Sequence, residues 1–304
     1  MPQQTLRRKK SGKGFWKSLI EYSFVAPYML LFTIFTVLPV LAAILLSFTY
    51  FNMMEPPTVI WFENYINLFL NDTLFVRALQ NTVIIAAITG PLGYLASFVF
   101  AWILNELPRG VRTVGTLVFY MPTLSGNMMA IWTMLFSGDD NGYINGVLQR
   151  LGLISTPIQF LKDSDYMLPV LVVIVLWSSL GTGFLSFVAG IQGVDRSLYE
   201  AASVDGVTNR WQELWYITLP SMRPQLMFGA VMSITSSLGV GTVITQVFGF
   251  PSYDYTLHTL ASHLEDYGGM RFEMGYACAI ATVLFLLMVG TNLVIKKWLS
   301  RIGE

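Results

Sequence analysis

Six stretches of this chain carry no Asp, Glu, Lys or Arg and are long enough to cross a bilayer: 24–48, 79–104, 113–136, 167–191, 224–248 and 274–295. A hydrocarbon core about 30 Å thick needs roughly 20 residues of helix at about 1.5 Å rise each. No water reaches a bare N–H or C=O inside lipid, so each run is expected to be an α-helix that satisfies its own backbone. Pro27, Pro39, Pro91, Pro122 and Pro169 fall in these runs. They are expected to kink or start helices, because neighbouring groups can take up the freed carbonyls. The expected class is an all-α polytopic membrane protein with six transmembrane helices.

Charge sets the orientation. Only 12% of the 304 residues are charged and 54% are hydrophobic, against about 25% charged in a soluble domain. The zero net charge hides an asymmetry. With the N-terminus inside, 14 of the 18 basic residues fall on the cytoplasmic side, and 11 of the 18 acids fall outside. That separation follows the positive-inside rule. It places both termini in the cytoplasm, together with the loop between the fourth and fifth runs. It leaves 49–78, 137–166 and 249–273 as outer loops. Residues 1–23 read as a basic cytoplasmic segment, 24–298 as the membrane domain with core helices from about 79, and 299–304 as a cytoplasmic tail. The first run exceeds the about 7–15 residues of a signal-peptide core, so it reads as an uncleaved anchor.

The runs hold no ionisable side chain of the kind that ion-coupled carriers use as relays. Gly12-Lys13-Gly14 does not fit a phosphate loop, and no other segment does. Cys278 is the one cysteine, which excludes an intrachain disulfide. His258 and His263 are five residues apart, off-register for one helical face. They read as two surface histidines rather than metal ligands. A membrane-embedded enzyme would need paired carboxylates, a Ser/His pair or metal ligands at membrane depth, and the runs offer none. No cofactor is expected in this chain. Active transport would then draw its energy from another subunit.

The inner loop 195–220 has its own architecture. Ser197-x-x-Glu200 has the form of a capping box, with Ser197 as the cap and Glu200 reaching back. Ala201 and Ala202 are strong helix formers of small bulk, and Gly206 suits the left-handed residue that ends a helix. Trp211, Leu214, Trp215 and Ile217 follow at amphipathic spacing. The loop thus reads as a short helix, a turn and a second helix. Its small face admits close approach by another protein, with Glu200 offering a charge. A plain connector that Glu200 merely caps is the competing reading.

Polar groups within the runs mark a path. In the fifth run Gly229, Ser233, Ser236 and Ser237 lie on one face, and Thr235, Gly239, Thr242 and Gln246 on the opposite one. One stripe is expected to pack, since small residues mediate helix contacts in membranes; the other is free to line a path. The fourth run adds Ser178, Ser179, Thr182 and Ser186, and the third Tyr120, Ser125 and Asn127. Neutral hydroxyls and amides with Trp132 and Trp177 nearby suit a neutral polyhydroxyl solute.

Glu200-Ala201-Ala202-x-x-x-Gly206 followed by Ile217-x-Leu219-Pro220 resembles the signature of permease subunits of binding-protein-dependent ABC importers. The ten residues between Gly206 and Ile217 are one more than the commonest family spacing. Trp177, Leu198-Tyr199, Asp205-Gly206, Trp211 and Leu219-Pro220-x-x-Arg223-Pro224 look like the carbohydrate branch. So do Pro27-Tyr28, Pro39, Ser47-Phe48 and Glu63-Asn64-Tyr65. The resemblance covers about residues 20–300. It implies a type I ABC importer permease fold in a prokaryotic cell (inner) membrane. It further implies that Glu200, Ala201, Ala202, Asp205, Gly206, Leu219 and Pro220 form the ATPase-coupling site. Implied partners are a second, different permease, two copies of a cytoplasmic ATPase, an external solute-binding protein and a sugar substrate, with no nucleic acid. The family's solute contact in the fourth and fifth runs favours Ser178, Ser179, Thr182, Ser236 and Gly239, alongside Tyr120, Ser125, Asn127 and Ser233. A permease for a phosphorylated polyol such as a glycerophosphate is the alternative; it would want cations facing the path. An ATP-independent channel or scaffold is a third.

Overall fold

The computed structural model describes residues 13–124, 128–139 and 142–299. The chain is built around one long helix. It enters through α1 (Lys13–Phe32), a π-helical turn and α2 (Leu38–Leu46), with Pro27 inside α1 and Pro39 starting α2. Tyr22–Leu46 forms one apolar rod, 25 residues long, with no buried side chain; its second half, α2, rests on the last helix of the chain. Phe24 is 81% exposed and Phe35 73%. A small antiparallel hairpin follows, β1 (Thr49–Tyr50) and β2 (Thr58–Val59), with Thr49 opposite Val59. It is a minor departure from the all-α expectation. Next comes α3 (Glu63–Ile66). Its buried Asn64 donates to the carbonyls of Ser47 and Thr49, and the Tyr65 hydroxyl bonds that of Ser47. Through those bonds Ser47 and Glu63-Asn64-Tyr65 stitch the end of α2 to α3.

The long helix is α4 (Thr73–Asn105), 33 residues. Asp72 caps it by accepting from the Phe75 N–H at 2.8 Å. At about 1.5 Å per residue it is about 50 Å long. Then come α5 (Arg109–Leu124), α6 (Met128–Leu135) and the short α7 (Tyr143–Arg150). The expected span 113–136 falls in α5 and α6, with residues 125–127 between them outside the described residues. The fourth and fifth runs are each a bent pair. α8 (Ser164–Ser178) meets α9 (Thr182–Gln192) at 44°. After α10 (Arg196–Val204), α11 (Arg210–Glu213), a π-helical turn and α12 (Leu219–Ser221), α13 (Arg223–Leu238) meets α14 (Gly241–Phe248) at 45°. α15 (Leu260–Glu265) leads to α16 (Met274–Leu299). By length and composition, three single helices of the described chain can cross a membrane, and five spans result if each bent pair counts as one.

The sharp bends fall at Ser179–Gly181 and at Gly239–Val240, not at the prolines. A break frees carbonyls, and α4 supplies partners. The Ser97 hydroxyl donates to the Ser179 carbonyl at 3.0 Å. Inside α13, before the second break, the Ser233 hydroxyl donates to the Gly90 carbonyl of α4 at 2.7 Å and ties the two helices together. A Cβ on Gly93 would stand 3.0 Å from Ser179 Cβ, so the missing side chain lets the first break press against α4.

Three buried clusters share α4. Ile85 packs with Met167, Leu171 and Ile174 of α8 and Ile244 of α14. Phe98, Ala101 and Leu104 pack with Phe184, Phe187 and Ile191 of α9, and with Leu214 and Met222. Phe75 and Ala78 pack with Leu260 and with Ala279 and Ile280 of α16. Lipid tails are as apolar as these side chains, so close packing rather than the hydrophobic effect holds the helices together. Gly229 marks a close crossing of α13 and α9: a Cβ there would clash with the tip of the Phe187 ring.

Candidate functional site

The loop 195–220 sits at the far end of α4 from Asp72. α10 begins with Asp195 as its cap, accepting from the Ser197 N–H at 3.0 Å. That bond holds the Asp195 carboxyl below its ordinary range. The expected capping box is corrected here: Ser197 is inside the helix, and the residue two positions earlier takes the orphan donor. The signal was present, because Asp is as good a cap as Ser.

The other end of α10 follows expectation. Gly206 has φ +93°, the Val207 N–H donates to the Ala202 carbonyl at 3.0 Å, and the Gly206 N–H to the Ser203 carbonyl at 3.4 Å. That ladder closes a helix on a left-handed residue. No residue of α10 is buried. Glu200, Ala201 and Asp205 are exposed, and so are Leu198 and Val204, the latter at 87%. Leu198, Ala201 and Val204 are three apart and share a face. Sequence reasoning missed Leu198 and Val204 as members of that face, although their spacing around Ala201 pointed to them.

The second half of the loop differs from a single amphipathic helix. α11, capped by Asn209, widens into a π-helical turn over Leu214–Thr218. Leu214 and Ile217 are buried, whereas Trp211 and Trp215 are exposed. Leu219 packs half-buried on the same cluster, and exposed Pro220 lies in the first turn of α12. Three contacts tie the loop down. The Tyr199 hydroxyl lies 2.9 Å from that of Thr218, which itself donates to the Glu213 carbonyl, so Tyr199 is the donor. Arg210 bridges Glu213 at 2.7 Å and Glu106, just past α4, at 3.3 Å. Trp211 meets Trp102 of α4 with ring centroids 5.1 Å apart. A cavity of about 780 Å³ opens beside these contacts, lined among others by Arg109, Arg112, Arg196 and Glu200.

The expected path residues divide. Ser178, Ser179, Thr182, Ser233 and Ser236 line one cavity of about 210 Å³ where both broken helices meet α4. Thr123 and Tyr94 line it too; neither was singled out, though both hydroxyls stand in apolar runs. Tyr120 lines a different cavity of about 480 Å³ with Arg112, Thr116 and Gln192. Gly239 is exposed at the bend of the fifth run. Ser125 and Asn127 lie outside the described residues. Trp132 and Trp177 pack against each other at 6.4 Å instead of lining the 210 Å³ cavity.

The two stripes of the fifth run also separate. Gly229 and Ser237 are buried and Ser233 bonds α4, so their stripe packs. Ser236 is the exception, exposed beside the cavity. Thr235, Gly239, Thr242 and Gln246 are all exposed.

At the opposite end, the two histidines are corrected from surface residues to buried ones. His258 is 2% exposed and His263 1%. They bond each other at 3.1 Å, and His263 bonds Asp72 at 3.0 Å. A five-residue offset is off-register only within one helix. Here His258 precedes α15 and His263 lies inside it.

These features meet a known family. The family described as binding-protein-dependent transport system inner membrane component matches residues 6–301. The chain is 32% identical to the probable ABC transporter permease protein YesP of Bacillus subtilis (strain 168), over 95% of this chain and 93% of that one. It is 29% identical to the lactose transport system permease protein LacF of Rhizobium radiobacter, over 75% and 74%. Its fold matches a solved chain with a TM-score of 0.75 at 24% identity, covering 97% of this chain and 100% of that one; that structure is a bacterial alginate ABC transporter in complex with an alginate pentasaccharide-bound periplasmic protein. The chain belongs to the family of binding-protein-dependent transport system inner membrane components, and is a membrane-embedded ABC permease.

Proposed function

We propose that this chain forms half of the translocation path of an ATP-driven sugar or oligosaccharide importer and receives the motion of a separate ATPase through α10. The observation that carries the reading is α10 itself: a helix of nine residues with no buried side chain, held at both ends by Asp195 and Gly206. Its exposed Leu198, Ala201, Val204 and Glu200 suit a cleft on a soluble partner. Two ATPase copies, a second permease and an external binding protein complete the machine. The exposed stripe of Thr235, Gly239, Thr242 and Gln246 suits a second permease, since lipid would offer no partner to the Gln246 amide. The neutral hydroxyls around the 210 Å³ cavity, with Tyr94 and Phe187 beside them, suit a polyhydroxyl solute. The lactose named for one relative agrees.

The test is uptake into proteoliposomes holding the complete complex, with lactose, an alginate pentasaccharide and glycerol 3-phosphate as probes and a wider saccharide panel as competitors. Saccharide-specific uptake coupled to hydrolysis supports the reading. One observation favours the glycerophosphate alternative: Arg109 and Arg112 face the cavity that Tyr120 lines. Uptake confined to glycerol 3-phosphate and lost in Arg112→Gln would establish that alternative instead.

The tether makes a separate prediction. Tyr199→Phe removes one hydroxyl and leaves Thr218 bonded to Glu213. It is expected to keep ATP hydrolysis while lowering solute moved per ATP roughly two- to tenfold, the scale of one hydrogen bond. An unchanged ratio would remove Tyr199 from the transmission.

A further inference from the structure

The buried histidines form a chain whose proton order is fixed. The Asp72 carboxylate is an acceptor only. Its Oδ2 receives the Tyr276 hydroxyl at 3.0 Å and His263 Nε2 at 3.0 Å, so Nε2 of His263 carries a hydrogen. Nδ1 of His263 is then the acceptor for His258 Nε2–H. That leaves Nδ1 of His258, which is buried and has no hydrogen-bond partner among the described residues. Among those residues no group of three or more His, Cys, Asp or Glu is placed to hold a metal. The chain links four pieces: the first turn of α4, α15, the segment before it, and the first turn of α16. Further bonds run beside it. Asn81 donates to the carbonyls of Thr256 and His258, and the Leu260 N–H donates to Thr82 Oγ1 at 2.9 Å. Asp254 and Tyr255, just upstream, hold φ of 48° and 53°, a backbone that persists only where its surroundings over-determine it.

We propose that Asp72, His263 and His258 are positioning residues that latch the 249–273 segment onto the starts of α4 and α16 in one protonation state, and release it when an imidazole becomes cationic. An added proton has one open nitrogen, His258 Nδ1, where it would create a buried cation with no acceptor. The charges around it do not rescue that cation. From α4, Asp72 is already shared by three donors and Arg77 is of like sign. From the segment itself, Asp266 is held by Arg271 at 2.6 Å, and Tyr255 and Tyr267 are neutral rings. From the α16 side come Glu273 and Tyr276, whose hydroxyl is spent on Asp72. Burial, with a smaller push from His263, lowers His258 to about 4 from 6.5. Burial also lowers His263, against the opposing pull of Asp72.

A histidine lowered in the latched form favours that form fully above 6.5, and the advantage is lost as pH falls toward about 4. Each unit in that window weakens the latch roughly tenfold per proton.

Hydrogen exchange on the full-length protein in lipid nanodiscs tests this without any transported solute, so it stands or fails apart from the importer reading. The Leu260 amide is the reporter, with rates corrected for intrinsic pH dependence. Wild type is expected to lose protection roughly tenfold per unit below about 6.5. His258→Gln keeps a donor for His263 and leaves His263 as the one titrating imidazole of the chain; its loss of protection per unit should be clearly shallower than in wild type. Asp72→Asn keeps the α4 cap but sets an N–H against two donors; it should lose at least about tenfold protection at pH 7.5. Wild-type protection independent of pH, or the same slope in His258→Gln, overturns the latch. In the assembled complex, the acid limb of the uptake profile should move with the same variant.

Discussion

Gly206→Val and Glu200→Arg are each expected to cut solute uptake by about tenfold or more while the protein still inserts and purifies as a monodisperse species. At Gly206 the cause is backbone strain. A β-branched residue at φ +93° costs about 1–3 kcal/mol. It can escape only by unwinding the end of α10, where the Val207 and Gly206 N–H groups close the helix. At Glu200 the cause is a reversed charge on an exposed face, and the hydrolysis rate of the free ATPase should not change. The measurement is uptake and solute-stimulated hydrolysis side by side, with ATPase co-purification as a third readout. Wild-type uptake in both variants would remove α10 from the coupling role.

Gly229→Leu should remove folded protein rather than function alone. Its first carbon would clash with the tip of the Phe187 ring, and overpacking a tight contact costs about 1–3 kcal/mol or more. The helices concerned, α9 and α13, also carry Thr182, Ser233 and Ser236 of the 210 Å³ cavity. Detergent-solubilised yield and thermal midpoint should both fall. Gly229→Leu with Phe187→Ala should recover part of the loss, because the space is returned. A wild-type midpoint for Gly229→Leu alone would contradict the close crossing.

Uncharged runs show where helices lie, because lipid leaves the backbone one solution. They do not show that the fourth and fifth runs break. The first break depends on what α4 offers at Ser97 and Gly93, and those pairings span 82 and 86 positions of sequence. The end of α10 is legible because Gly206 is a local signal. Its start is not, because two good caps, Asp195 and Ser197, stand within one turn of each other. Ser178, Ser179, Thr182, Ser233 and Ser236 are legible as polar groups in apolar runs. Which fifth-run stripe packs is not, since small residues serve packing and passage alike. Spacing alone misplaces the histidines at the surface, because the partner that buries His263, Asp72, lies 191 positions away from it.

The uncovered first rod, Tyr22–Leu46, has a consequence for how much of this protein a cell can keep. That rod rests on α16 through its α2 half but buries no side chain there, so it gains less from the folding of the rest than α4 does. A neighbour that covered the rod would stabilise the subunit by mass action. The amount of folded subunit would then rise with the amount of that neighbour.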